Sequence, residues 1–215
     1  MNKNSDEKQG DIDLHPLPFS QACENNKEAI LAVLQKELKD ARHVLEIGSG
    51  TGQHSVYFAP DLPHLEWQTS DVSLNYRIIQ AWHNAYPAPN LHQPIRVDLT
   101  EDSIPILFTN TPYDAVFTAN TLHIIAWPLI ERLFVLARET LASGGKLIIY
   151  GPFNEAGSYT STSNESFDLS LRRRDPSSGI RHKEDIVSLA TQQDFALSHE
   201  YQMPANNQIL VFIRQ

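Results

Sequence analysis

The chain has 215 residues, 41% hydrophobic and 20% charged, the balance of one soluble globular domain with a core rather than of a disordered or fibrous chain. Its formal charge of −9 works against sequence-independent binding of nucleic acid or anionic membrane. A single cysteine, Cys23, excludes an intramolecular disulfide and any cysteine-built metal cluster, and no apolar run is long enough to span a bilayer.

The first fifteen residues, "MNKNSDEKQGDIDLH", carry no apolar segment of the kind a secretory signal needs and read as a polar tail, so a cytoplasmic location is expected. "HPLPF" is extended or turning, because its two prolines exclude helix. "NKEAILAVLQKELKD" then sets Ile30, Leu31, Leu34 and Leu38 on one helical stripe, with Lys36 and Lys39 outward.

From Arg42 the pattern alternates. "HVLEI" predicts a strand, a glycine-rich turn follows, and "QHSVYFA" predicts a helix; "LEWQTSD" is strand and "LNYRIIQAWHNAY" helix. "PIRVDLT" and "YDAVFTAN" are strands, "WPLIERLFVLARETL" is a helix, and "GGKLIIYG" is a strand whose double glycine would stop the preceding helix. Residues 151–181, rich in Ser, Thr, Asn, Gly and Arg, read as a lid or substrate loop within a single domain spanning 16–215. "HKEDIVSLATQQ" is a helix, and "FALSHEYQ" with "NNQILVFIRQ" forms a closing hairpin. The expected fold is α/β: a seven-stranded, mostly parallel sheet with a C-terminal antiparallel hairpin and helices on both faces.

The turn after the first strand reads E-x-G-x-G-x-G, namely Glu46, Gly48, Gly50 and Gly52. A dinucleotide fingerprint needs glycine or alanine where this chain has Gln53, and a Walker loop needs a Lys-Ser/Thr pair that is absent. The spacing instead resembles motif I of class I S-adenosylmethionine-dependent methyltransferases, in which Gly48, Ser49, Gly50, Thr51 and Gly52 would cradle the methionine part of the cofactor. Asp71, nineteen residues past Gly52 at the end of the second strand, is placed to accept from both ribose hydroxyls, with Val72 beside it. The same resemblance gives Asp98 the adenine amine and the Leu99 backbone the ring edge.

Several blocks outside those motifs, among them "SQACENNKEAIL", "IYGPFN", "TSTSNESFD", "RRRDPSSGIR" and "MPANN", resemble the small methyltransferase-like family catalogued as domain of unknown function 938, which includes the animal methyltransferase-like protein 26. One position departs from that pattern: Asn25 stands where an arginine is expected. The resemblance implies a Rossmann-like fold, S-adenosylmethionine as cofactor, no metal, and Glu24, Asn26 and Lys27 folded over the cofactor mouth.

Methyl transfer from a sulfonium requires alignment of the acceptor and, for a hydroxyl, removal of its proton. His123 in "NTLH" is the candidate general base because imidazole titrates near neutrality. Asn120 is set to hold the cofactor's ammonium or the acceptor, and Tyr150 and Asn154 in "YGPFN" to orient the acceptor. "NTLH" is not the Asn/Asp-Pro-Pro-aromatic block of methyltransferases acting on base or glutamine amino groups, so the expected partner is a small-molecule acceptor with a hydroxyl or carboxyl group, not nucleic acid or membrane. Arg172, Arg173 and Arg174 are either an anion clamp or a solvated helix face. Two rival functions are a cofactor-binding module that docks a protein partner without catalysis, and a nicotinamide-dependent oxidoreductase.

Overall fold

In the computed structural model, residues 16–101 and 111–215 are described; the N-terminal stretch 1–15, read as a polar tail, lies outside them. The chain runs α1 (Gln21–Glu37), β1 (His43–Ile47), α2 (Gln53–Asp61), β2 (Glu66–Asp71), α3 (Ser73–Ala85), β3 (Leu91–Arg96), β4 (Tyr113–Ala119), α4 (Trp127–Thr140), β5 (Leu141–Asn154), α5 (Thr162–Arg174), β6 (Arg181–His182), α6 (Lys183–Gln192), β7 (Phe195–Met203) and β8 (Asn207–Arg214).

The sheet order is β3-β2-β1-β4-β5-β8-β7, with the two-residue β6 paired to the far end of β5. β1 to β5 pair in parallel, whereas β8 runs antiparallel between β5 and β7. Reversal of strand order on either side of β1 opens a crevice at the carboxyl ends of β1 and β4, where α/β sheets take their ligands.

Alternation along the central strands divides the core between the two faces. Val44, Ala115, Phe117 and Ile148 pack under α1 and α2 with Ile30, Leu34 and Phe58. Leu45, Val116, Leu147 and Ile149 pack under α4 and α6 with Ile130, Phe134 and Ile186. Such side chains leave water on both sheet faces, as expected when helices cover a parallel sheet.

Three local expectations are corrected. β3 begins at Leu91 and ends at Arg96, so Pro94 lies inside it instead of opening it. β3 is an edge strand, and its register against β2 shifts between Gln68 and Ser70, an irregularity that tolerates a residue without an N–H. Gly144 and Gly145 do not stop α4, which ends at Thr140; they form a bulge within β5, where the register jumps from Tyr113↔Leu141 to Ala115↔Lys146. Residues 151–181 are no continuous loop either. They hold the end of β5, α5 capped by the Ser161 hydroxyl on the Asn164 N–H, and β6.

Candidate functional site

A cavity of 540 Å³ lies at the carboxyl ends of β1 to β4. The turn after β1 forms its floor, and its conformation follows from its glycines. Gly48 adopts φ +73°, and a Cβ there would stand 2.8 Å from the Thr121 hydroxyl; Gly52 adopts φ +85° as the N-cap of α2, against the backbone of Ile79 in α3.

The turn's N–H groups are largely engaged within the protein. Those of Gly48 and Ser49 both donate to the Ser70 carbonyl at 3.0 Å, Gly52 donates to Ser49, and Gly50 donates to Asp71 Oδ2 at 2.7 Å. A phosphate cradle needs such groups aimed at the ligand, so this turn is poorly suited to a pyrophosphate.

Gly48, Ser49, Gly50, Thr51, Asp71, Val72, Asp98, Leu99, Asn120 and His123 all line this cavity, so ten of the expected site residues face one space. Asp71 is fixed by the Gly50 and Val72 N–H groups and by Asn75 Nδ2 at 3.0 Å. Asp98 accepts from the Thr100 N–H and hydroxyl on Oδ1, which holds its carboxyl below the usual carboxylate range, and lies 3.4 Å from Arg96. Asp98 thus also closes a local turn of its own.

The remaining candidates lie elsewhere. Glu46 is 2% exposed beneath the glycine turn, outside the cavity lining, and accepts from Trp67 Nε1 at 3.0 Å. Alternation along β1 turns its side chain into the protein, whereas the backbone beyond Ile47 turns toward the cavity. Gly52 caps α2 and is not part of the lining. Asn26 and Tyr150 line a second cavity of 340 Å³, which meets the first at Ala22, Asn120 and Phe167. Asn154 is buried and lines neither cavity. It lies four residues beyond Tyr150 on β5, a displacement of about 13 Å along an extended strand, beside the pairing with β6.

Asn120 stands at the junction of the two cavities with φ +56°, held by its N–H on the Tyr150 carbonyl at 2.9 Å, and its side chain has no hydrogen-bond partner among the described residues. His123 is 5% exposed, its ring edge-on to Phe167 with centroids 5.3 Å apart. Burial, reinforced by the Arg181 charge, lowers its pKa to about 4, so at neutral pH it is an uncharged imidazole.

Several contributors were not singled out by sequence. The segment 16–20 is strapped across α2 and α3, with Trp82 Nε1 donating to the Pro18 carbonyl and the Ser20 N–H to Gln53 Oε1, which brings Ser20 and Cys23 to the cavity wall. Cys23 carries a thiol pushed up by burial, consistent with packing rather than nucleophilic use. Phe167 of α5 borders both cavities.

The carbonyls of four successive residues in the turn after β4 all accept from the segment before α6. Leu122 and Ile125 accept from the Arg181 guanidinium, His123 from the Gly179 N–H, and Ile124 from the Ser178 hydroxyl. Arg172, by contrast, pairs with Asp168 at 2.7 Å, and none of Arg172, Arg173 and Arg174 reaches either cavity, which removes the anion-clamp reading. Among the described residues no group of three His, Cys, Asp or Glu could hold a metal ion, and no helix is long and apolar enough to cross a membrane.

Burial of titratable groups at and around this site gives a stability profile with a defined sign. His54, His83 and His123 are each depressed to about 4 from 6.5 by burial, so their contribution is present above pH 6.5 and lost as pH falls toward 4. Glu46 runs the other way. Burial raises it to about 7, against the pull of its bonds to Trp67 and Ser49, so its contribution is complete below pH 4.5 and lost as pH rises through 7. Without ligand, the melting temperature is expected to fall steeply from pH 6.5 to 4. Glu46→Gln, which mimics the protonated carboxyl, is expected to gain up to about 3 kcal/mol over the parent near pH 8 and little at pH 5. Identical pH profiles for the two proteins would remove Glu46 as the titrating group.

The family model described as "Protein of unknown function (DUF938)" matches residues 17–214. Among solved structures, mitomycin 7-O-methyltransferase MmcR is similar at 13% identity and a TM-score of 0.77, over 90% of this chain and 54% of that one. The O-methyltransferase family 2 protein from Planctomyces limnophilus DSM 3776, in complex with apigenin, gives 18% identity and 0.76, over 90% and 58%. Human N-acetylserotonin methyltransferase, in complex with SAM, gives 13% and 0.76, over 90% and 52%. The chain thus spans a little over half the length of these proteins, and at such identities the likeness establishes the fold, a Rossmann-like sheet with helices on both faces.

Proposed function

This chain belongs to the DUF938 family, and on that premise we propose that it is an S-adenosylmethionine-dependent methyltransferase acting on a small-molecule acceptor. The observation that carries this reading is the 540 Å³ cavity on which the glycine turn, Asp71, Asp98 with Leu99, and Asn120 converge from the ends of four adjacent strands. Its volume falls within the roughly 300–1,000 Å³ of ligand pockets. The two solved relatives named as O-methyltransferases and the human enzyme in complex with SAM support the cofactor by analogy of fold.

The residues present fit the cofactor. Asp71 offers carboxylate lone pairs for ribose hydroxyls while three protein donors keep it in place. Val72, Val97, Leu99 and Leu129 supply apolar wall for an adenine ring, with Asp98 in reach of an exocyclic amine. The turn from Gly48 to Thr51 and the unpartnered amide of Asn120 receive the methionine end, and the engaged N–H groups of that turn argue against the pyrophosphate of a nicotinamide cofactor. Glu46 supports the turn from below; Asn26 holds the His54 ring through a 2.7 Å hydrogen bond, and Gly52 caps α2.

When bound, the cofactor supplies a methyl group on a sulfonium, already activated for displacement. The protein's own task is then alignment, exclusion of water and disposal of a proton. His123 is neutral and its ring has no hydrogen-bond partner among the described residues, so its ring nitrogens are open to a proton. With a pKa near 4 it is a weak base, yet a hydroxyl oxygen that has begun to share its lone pair with carbon holds its proton far less tightly, and a weak base suffices. Tyr150, its phenol pushed further up by burial, lines the second cavity, and in this reading it orients an acceptor there.

Calorimetric titration with S-adenosylmethionine, S-adenosylhomocysteine and NADH tests the reading. Micromolar binding of the two sulfur nucleotides without NADH is expected. Binding of NADH alone, or of none of the three, rejects it.

A further inference from the structure

We infer that the second cavity is a binding pocket for an uncharged small molecule bearing hydroxyl or amide groups, and that it rejects carboxylates and ammonium ions; as the seat of the methyl acceptor it rests on the methyltransferase reading above. Its 340 Å³ sits at the small end of the range for ligand pockets. It opens onto the first cavity through Asn120, the one side chain at that junction with a hydrogen-bonding group and no protein partner among the described residues.

The polar groups of its wall are all uncharged. Asn25, Asn26, Asn120, Asn164 and Asn207 contribute amides, Tyr150 a phenol and Ser163 a hydroxyl, with the Asn26 carbonyl oxygen already engaged by His54 Nε2, and no Asp, Glu, Lys, Arg or His borders it among the described residues. Asn164 gives its Nδ2 to the Thr160 hydroxyl and the Asn206 carbonyl, and Asn207 gives its Nδ2 to the carbonyls of Pro204 and Ala205. Each therefore keeps a carbonyl oxygen without a protein donor, suited to receive an O–H or N–H. Burial holds the Tyr150 hydroxyl protonated, so it can also donate.

Charge decides the class of occupant. A carboxylate or ammonium entering this space would give up part of its hydration and meet no counter-ion among the lining residues, a cost that neutral amides recover only in part. A neutral hydroxyl or amide loses less water and can be matched by the same donors and acceptors. The backbone supports a built site, because Asn120 and Ala205 both line the cavity with φ of +56° and +57°, conformations that cost free energy without packing or function to hold them. This narrows the hydroxyl-or-carboxyl expectation from sequence to the neutral half.

The test is ligand-observed NMR on the full chain with four probes of similar size: benzamide and resorcinol, both neutral, benzoate, an anion, and benzylamine, a cation. Each is titrated with and without S-adenosylhomocysteine, and Tyr150→Phe is run alongside. Benzamide and resorcinol are expected to bind at least tenfold tighter than benzoate and benzylamine, and to weaken at least threefold in Tyr150→Phe while S-adenosylhomocysteine affinity is kept. Benzoate or benzylamine binding as well as benzamide, neutral probes indifferent to Tyr150→Phe, or bound S-adenosylhomocysteine with no probe binding each overturn this inference. Failure of S-adenosylhomocysteine to bind overturns the cofactor reading instead, and neutral probe binding in that case leaves the pocket's selectivity standing without the methyl-transfer role.

Discussion

Asp71→Ala is expected to weaken S-adenosylmethionine binding by about 1.5–3 kcal/mol, roughly 10- to 150-fold in Kd, the scale of a lost hydrogen bond to a charged acceptor. The carboxylate has two functions that the substitution removes together. It faces the cavity at the end of β2, and it accepts from the Gly50 N–H at 2.7 Å, so that it also fixes the glycine turn. Asn75→Ala separates them: it removes a 3.0 Å contact that orients the carboxylate but leaves the charge and the turn, and is expected to cost less than Asp71→Ala. Calorimetry on both variants, with thermal unfolding to check folding, reads the difference. An unchanged Kd in Asp71→Ala would take the ribose away from this residue.

The second large effect is expected on stability. Asp168 of α5 is fully buried and accepts from the Arg172 guanidinium at 2.7 Å, the Tyr159 hydroxyl at 2.8 Å and the Ile180 N–H at 2.6 Å. Those donors hold its carboxyl below the usual range despite burial. Asp168→Ala strands all three, and breaking a buried pair costs about 3–5 kcal/mol. Because the Arg172 side chain is 48% exposed and regains water, the lower end is expected, about 3 kcal/mol, or about 6–12 °C in Tm for a chain of this size. Asp168→Asn, which keeps an acceptor oxygen, is expected to lose less. Urea denaturation measures both, and a loss under 1 kcal/mol for Asp168→Ala would deny it this anchoring role.

How much of this was legible in sequence depends on where the periodic signal was apolar. β1, β4, α1 and α4 bury aliphatic and aromatic stripes, and their patterns announced them. The residues that line the first cavity were legible for a related reason, since glycines and acids that recur in order at successive strand ends seldom arise from turn chemistry alone. α5 escaped because its buried positions are Asn164, Asp168 and Leu171, which keep helical spacing with mostly polar residues. A stripe of that kind is invisible to a reading that looks for apolar faces. The glycine pair at 144–145 misled because a strand bulge and a helix stop use the same residue for the same backbone freedom. Asn154 was placed near the chemistry by chain proximity to Tyr150, whereas a strand carries its residues away from a site at about 3.3 Å each.

The four carbonyls of residues 122–125, all held by Ser178, Gly179 and Arg181, make the turn bearing His123 and the segment leaving α5 a single mechanical piece. α5 also carries Phe167, a ring that borders both cavities and leans edge-on against His123. The position of the imidazole is thereby tied to that of α5 through backbone carbonyls on one side and an aromatic ring on the other, so a substitution that shifts the helix reaches His123 without touching it.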